Sequence, residues 1–170
     1  MEKGKSLIGL LALGLAVAAP ATHAACDPLP APVAGYVRAH AGWKVVRFTD
    51  LVRDDQALWA QYHKTVCPGW AKVRLDPRQP AFYAVALIRP KQEKLVLIDA
   101  DGRHARDLVP ADRLYNPRVV WTVPPGRYRD ENTEKDVTVG EESVVFEAME
   151  AAATQFYMKD GKIRSLLASQ

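Results

Sequence analysis

Between Arg103 and Arg129 the chain carries Arg103, Arg106, Arg113, Arg118, Arg127 and Arg129, with no lysine and with Tyr115, Trp121 and Tyr128 interleaved. A guanidinium presents a planar fork of donors that matches carboxylate and phosphate oxygens. Arginine mixed with tyrosine and tryptophan is also the composition of protein-interface hot spots. Segment 124–132 (PPGRYRDEN) reads as a proline-stiffened, polar, exposed loop, with Arg127, Tyr128 and Arg129 as its anchors. Tyr115 and Arg118 are further contact candidates. Trp121 lies inside an apolar run and reads as core. An arginine-rich outer sheet face without a partner would have the same composition.

The other reactive residue types lack a pattern that does chemistry. His40, His63 and His104 do not fall at ligand spacing from another histidine, cysteine or carboxylate, so no metal site is read. His40 and His63 stand near the ends of expected helices, where a cation suits the dipole. Ser143, Ser165 and Ser169 lack the glycine context of a nucleophile elbow. Asp99-Ala100-Asp101-Gly102 opens like a calcium loop, but its glycine comes too early and the later glutamate is missing. The acid pairs Asp54-Asp55, Asp130-Glu131 and Glu141-Glu142 are adjacent residues of turns or helix starts, not two carboxylates facing across a cleft. No catalytic residue and no cofactor is assigned.

The chain opens with Lys3 and Lys5, an uncharged run from Leu7 to Ala19, Pro20, and the small-residue site Thr22-His23-Ala24. The run is too short for the roughly 20 residues of a bilayer core, and the pattern is that of a cleaved signal peptide over 1–24. The remaining 146 residues (170 minus 24) suit a single domain, 25–170, with no integral membrane segment. Removing Lys3, Lys5 and Glu2 leaves 21 basic against 19 acidic residues. A net charge of +2 gives no argument for nucleic acid as a partner. Cys26 and Cys67 are the two cysteines of the chain, and export to the periplasm favours a disulfide between them. Two alternatives are a lipid on Cys26, for which His23 is a poor context, and a Cys67 nucleophile beside a histidine.

The elements follow from periodicity. Pro32 opens a short helix whose face is Val33, Tyr36, Val37 and His40, closed by Gly42. Residues 43–48 (WKVVRF) read as a strand, and Asp54 as the N-cap of a second helix carrying Leu58, Trp59, Tyr62 and Val66. After Trp70 the period becomes two. Strands are expected at 71–75, 81–88, 95–98, 105–109 and 119–123, with two hairpins: 137–139 with 144–149, and 154–158 with 162–167. In 81–88 (AFYAVALI) Phe82, Ala84, Ala86 and Ile88 should face one way and Tyr83, Val85 and Leu87 the other, both sides covered, with something packing closely on the alanines. Asp160-Gly161 is a favoured two-residue turn, setting Met158 opposite Ile163 toward the core and Tyr157 opposite Arg164 toward solvent. The class is α+β: two short N-terminal helices on one face of a curved, mainly antiparallel meander of seven to nine strands.

A small exported domain with a disulfide and no catalytic constellation suggests a periplasmic binding protein that acts on another protein. The concrete form is an inhibitor or immunity protein that occludes a toxic or lytic enzyme of the envelope. The alternatives are a hydrolase of cell-wall material and a structural or assembly factor.

Overall fold

The computed structural model describes residues 26–63, 66–149 and 151–168; the expected signal peptide lies outside them. Two helices, α1 (Ala31–Ala39) and α2 (Arg53–Tyr62), flank β1 (Lys44–Val45) and a single 3-10 turn, Phe48–Asp50. Ten strands follow: β2 (Trp70–Val73), β3 (Phe82–Arg89), β4 (Gln92–Asp99), β5 (Ala105–Arg113), β6 (Val119–Val123), β7 (Gly126–Asp130), β8 (Lys135–Val139), β9 (Ser143–Ala148), β10 (Ala152–Lys159) and β11 (Lys162–Ala168). The fold is α+β and its pairings are antiparallel.

The strands do not make one meander. They form three sheets: a first of β1, β3, β4 and β5 with β2 also on β3, a second in the order β11-β10-β9-β6, and a two-stranded ribbon of β7 and β8. The expected hairpin of 137–139 with 144–149 is absent, because β9 pairs with β6 and β10 while β8 pairs with β7. Apolarity explains the choice. Val144, Val145 and Phe146 are buried on both faces of β9, which therefore belongs inside a covered sheet. In β8 only Val137 and Val139 are apolar, and they lie over Tyr157 and Leu166 of the second sheet.

The division of β3 into two faces agrees with expectation. Ala84, Ala86 and Ile88 enter the core between the two sheets, with Leu95, Leu97, Val120, Val144, Phe146 and Phe156. Val85 and Leu87 face outward with Val96 and Ile98, under Val33, Tyr36 and Val37 of α1. The helices therefore do not share a face: α1 covers the outside of the first sheet, whereas α2 sends Trp59 into the inter-sheet core beside the alanines. The second helix starts at Arg53, with Asp54 and Asp55 in its first turn and no side-chain cap, so Asp54 serves the dipole and not the cap position. The 43–48 strand shrinks to Lys44–Val45, because the Asp50 carboxylate accepts from the Arg47 N–H at 2.9 Å and turns the chain into the 3-10 helix.

The Cys26–Cys67 disulfide is present, with Cα atoms 5.0 Å apart. It joins the start of the domain to the turn after α2. Both sulfurs are used, which removes the readings of Cys26 as a lipid carrier and Cys67 as a nucleophile. In that turn a Cβ on Gly69 would stand 2.0 Å from the Val46 carbonyl oxygen, so only glycine fits. The Pro68 carbonyl accepts from the Val120 N–H at 2.8 Å, linking the turn to the second sheet.

The last hairpin has the expected register: Met158 opposes Ile163 and Tyr157 opposes Arg164. Its expected sidedness holds for one pair and fails for the other: Met158 and Ile163 pack against the inter-sheet core, but Tyr157 is buried instead of facing solvent, because the ribbon covers the face on which it stands. Both turn residues, Asp160 and Gly161, have positive φ, as a type I′ turn requires.

Candidate binding surface

Segment 124–132 is a strand and a turn instead of a loop. Residues alternate across β7, so its candidate anchors part company. Tyr128 points under the ribbon and packs with Val137, Val139, Tyr157 and Leu166. Its hydroxyl donates to the Pro124 carbonyl, and burial pushes its pKa up. Arg127 and Arg129 project outward and are exposed. Arg127 pairs with Asp136 at 2.6 Å, an exposed contact worth about 0–1 kcal/mol. Among the described residues no ion pair engages Arg129.

The ribbon is held at its far end by Asp130. Its carboxylate accepts from the Thr133 hydroxyl at 2.8 Å and from the Asn132 and Leu167 N–H groups at 3.2 Å. The Thr133 hydrogen bond, with the two N–H groups, holds this carboxyl below its ordinary pKa against the opposing effect of burial. The Glu131 N–H also donates to the Leu167 carbonyl at 2.9 Å. A core below and a clasp on β11 fix the direction of both arginines.

The other two candidates lie on the connection between β5 and β6. Tyr115 is 77 % exposed, and the Arg113 guanidinium lies 4.9 Å from its ring centroid. Arg118 turns inward. Its Nε donates to Glu93 at 2.9 Å, its backbone N–H donates to the same carboxylate at 3.1 Å, and the guanidinium lies 4.2 Å from the centre of the Phe146 ring. Glu93 is buried on the inner face of the first sheet, so this pair joins the two sheets.

A cleft of about 590 Å³ opens beside the ribbon. Its floor is the outer face of the second sheet, where Trp121 and Val123 of β6, Val145 and Glu147 of β9, and Ala153 and Gln155 of β10 stand side by side. Leu58 and Tyr62 of α2 form one wall with His63, and Tyr128 stands opposite. Tyr62, at the rim, is 66 % exposed. The His63 ring stacks on Trp59 (centroids 4.2 Å apart) and tilts against Trp121 at 4.8 Å. Burial there lowers its pKa, so at neutral pH it is an uncharged ring and not the helix-end cation expected from its position.

Two buried polar side chains stand on this floor. The Glu147 carboxylate accepts from Trp121 Nε1 at 2.8 Å; burial pushes its pKa up, the Trp121 hydrogen bond opposes this, and the charge of Asp55 adds to it. The Gln155 amide donates to the Ser143 hydroxyl at 2.7 Å. Sequence reasoning passed over both. Their signal is positional: each is a polar residue where the alternation of a covered strand calls for an apolar one. Comparison of the chain with family models, curated proteins and solved structures returns no match.

Proposed function

We propose that the protein is an exported binding module that acts through a protein interface, with the outward face of the ribbon as its contact surface. The observation that supports this reading is presentation. Arg127 and Arg129 leave the same face of a strand that is packed from below and clasped at its end. Two residues apart along a strand is about 6.6 Å of rise. Little ordering entropy is left to lose when such a surface meets a partner. The complementary chemistry is a pair of carboxylates, and glycosidases that cut cell-wall polymers work with two carboxylates roughly 5–9.5 Å apart. The concrete reading is a periplasmic inhibitor or immunity protein that lays the ribbon over the cleft of a lytic enzyme.

The test is inhibition of peptidoglycan hydrolysis by envelope glycosidases, comparing the wild type with the Arg127→Ala/Arg129→Ala variant. Inhibition should weaken at least thirtyfold, the equivalent of about 2 kcal/mol. Equal potency of the variant, or no inhibition of any lytic enzyme, removes the reading.

One observation favours an enzyme instead. His63 and Glu147, a ring and a carboxyl of the types used in general acid–base catalysis, line one cleft. Turnover of cell-wall fragments by the protein alone, lost in a folded Glu147→Gln variant, would put that reading first.

A further inference from the structure

We propose that a pocket at the open end of the first sheet binds the C-terminal residue of a peptide, with its carboxylate on Arg106, its amide N–H on His104 and its apolar side chain on Phe82 and Leu97. The strand ladder builds this pocket. Phe82 of β3 opposes Asp99 of β4, and Leu97 of β4 opposes Arg106 of β5. The Asp99 N–H donates to the His104 carbonyl at 3.0 Å, which sets His104 beside Asp99. Directly opposed residues share a face, and Leu97 belongs to the core between the two sheets. The inner face of the first sheet therefore runs on from Leu97 and Arg106 into a row of Phe82, Asp99 and His104. The pocket over these two rows has a volume of about 420 Å³, within the roughly 300–1,000 Å³ usual for small-molecule sites. His104 and Arg106 are polar at inward positions of β5, whereas Leu108 further along packs on the core.

Three features select the ligand. The first is charge. Both carboxylates of the pocket are already engaged: Asp99 accepts from His104 Nδ1 at 2.9 Å, and Asp101 accepts from the Arg103 N–H at 3.0 Å and pairs with its guanidinium at 3.4 Å. Among the described residues no hydrogen bond or ion pair engages the Arg106 side chain, so it is the charge left to balance. Its planar fork of donors suits a carboxylate. The second is the imidazole. With Nδ1 turned to Asp99, Nε2 of the uncharged ring is an acceptor, so the ligand's next polar group is a donor. The third is the apolar bed of Pro80, Phe82 and Leu97. His104 and Arg106 are two residues apart along one strand, about 6.6 Å of rise, so a single small group reaches both. A carboxylate, an N–H and an apolar side chain on one carbon describe the last residue of a peptide, a recurring target of recognition. No residue of the ribbon lines this pocket, and its failure leaves the interface reading untouched.

The experiment is an NMR titration of the isotope-labelled protein, read at its backbone N–H resonances. N-acetyl-leucine should give saturable shifts centred on residues 80–82 and 97–106. N-acetyl-leucinamide, which lacks the charge, should bind about tenfold more weakly, and isocaproate, which lacks the N–H, about fivefold more weakly. The peptide tetra-alanyl-leucine should bind at least as tightly as N-acetyl-leucine. His104 and Arg106 are exposed, so their variants keep the fold, which a wild-type melt confirms. Arg106→Gln should abolish the preference for the acid over the amide, and His104→Phe the preference for N-acetyl-leucine over isocaproate. Absence of saturable shifts, or shifts centred elsewhere, overturns the site. Tighter binding of the cation leucinamide, or an acid preference that survives Arg106→Gln, overturns the carboxylate. Weaker binding of tetra-alanyl-leucine overturns the chain terminus, and an isocaproate deficit that survives His104→Phe overturns the role of His104.

Discussion

Replacing Arg118 with alanine should loosen the joint between the two sheets and leave the ribbon's contacts alone. The side chain bonds Glu93 at 2.9 Å and covers the face of Phe146, and the Glu93 side chain is 6 % exposed. Removing one partner of a buried pair costs about 3–5 kcal/mol, because the other charge remains without compensation. Here the backbone N–H of residue 118 still reaches the carboxylate, so the loss belongs at the lower end, about 3 kcal/mol. For a chain of this length that corresponds to a melting temperature lower by about 6–12 °C. Thermal and urea melts followed by circular dichroism read both quantities. The Glu93→Leu/Arg118→Met variant supplies the control: apolar residues of similar volume should recover most of the loss, since exchanging a whole buried pair is often neutral. A melt within about 2 °C of wild type for Arg118→Ala, or no recovery in the double variant, would refute the account of this pair as a joint. If inhibition also fell, Arg118 would belong to the contact surface after all.

Three further outcomes follow from the same geometry. Cys67→Ser should cost about 4 kcal/mol in urea unfolding, the closure entropy for partners 41 residues apart, without altering the inhibition proposed above. Gly69→Ala should cost about 3 kcal/mol in the same assay, because its methyl would overlap the Val46 carbonyl; wild-type stability would show that the close approach is not real. Asp76 is held at a pKa of about 2 by its hydrogen bonds to Arg78, and a carboxyl lowered on folding stabilises the native state above its unfolded value. Its contribution should be complete above about pH 4 and fade as the pH falls toward 2, so Asp76→Asn should flatten that part of the stability profile. An unchanged acid limb would contradict this.

What could be read in advance was local or followed from the expected compartment. The Asp160-Gly161 turn fixes its own register because both residues accept positive φ. The disulfide followed from a pair of cysteines in a chain whose first residues read as an export signal, and the two faces of β3 from simple alternation. The pairing of β6 with β9 was hidden, because strands that meet across a long stretch of chain leave no periodic mark on either one. The sidedness of Tyr157 failed for a related reason. Alternation says which residues share a face, but here both faces were covered, and the second cover came from a ribbon read as a loop. Glu147 and Gln155 became visible as site residues only once the strands around them were in place. Of the arginine-rich segment, composition identified the residue types, whereas only strand alternation could separate Arg127 and Arg129 from Tyr128 and only packing could take Arg118 out of solvent.

Val123 and Ser143 are ladder partners at the end of the second sheet, and everything the ribbon contains lies between them. Their Cα atoms are therefore about 5 Å apart, close enough to be bridged by a tight turn. In topological terms residues 124–141 are a cassette: the chain leaves the sheet and returns to the same point, and every rung of the four-stranded ladder survives its removal. Glu142, which accepts from the Arg74 N–H, stays with the frame. Excision would uncover Tyr157 and Leu166, at about 25 cal/mol for each Å² of apolar surface exposed. On the proposed reading, recognition and folding are written in separate stretches of the polypeptide. The cassette can be exchanged or rewritten while the disulfide, the inter-sheet core and the ladders remain as they are.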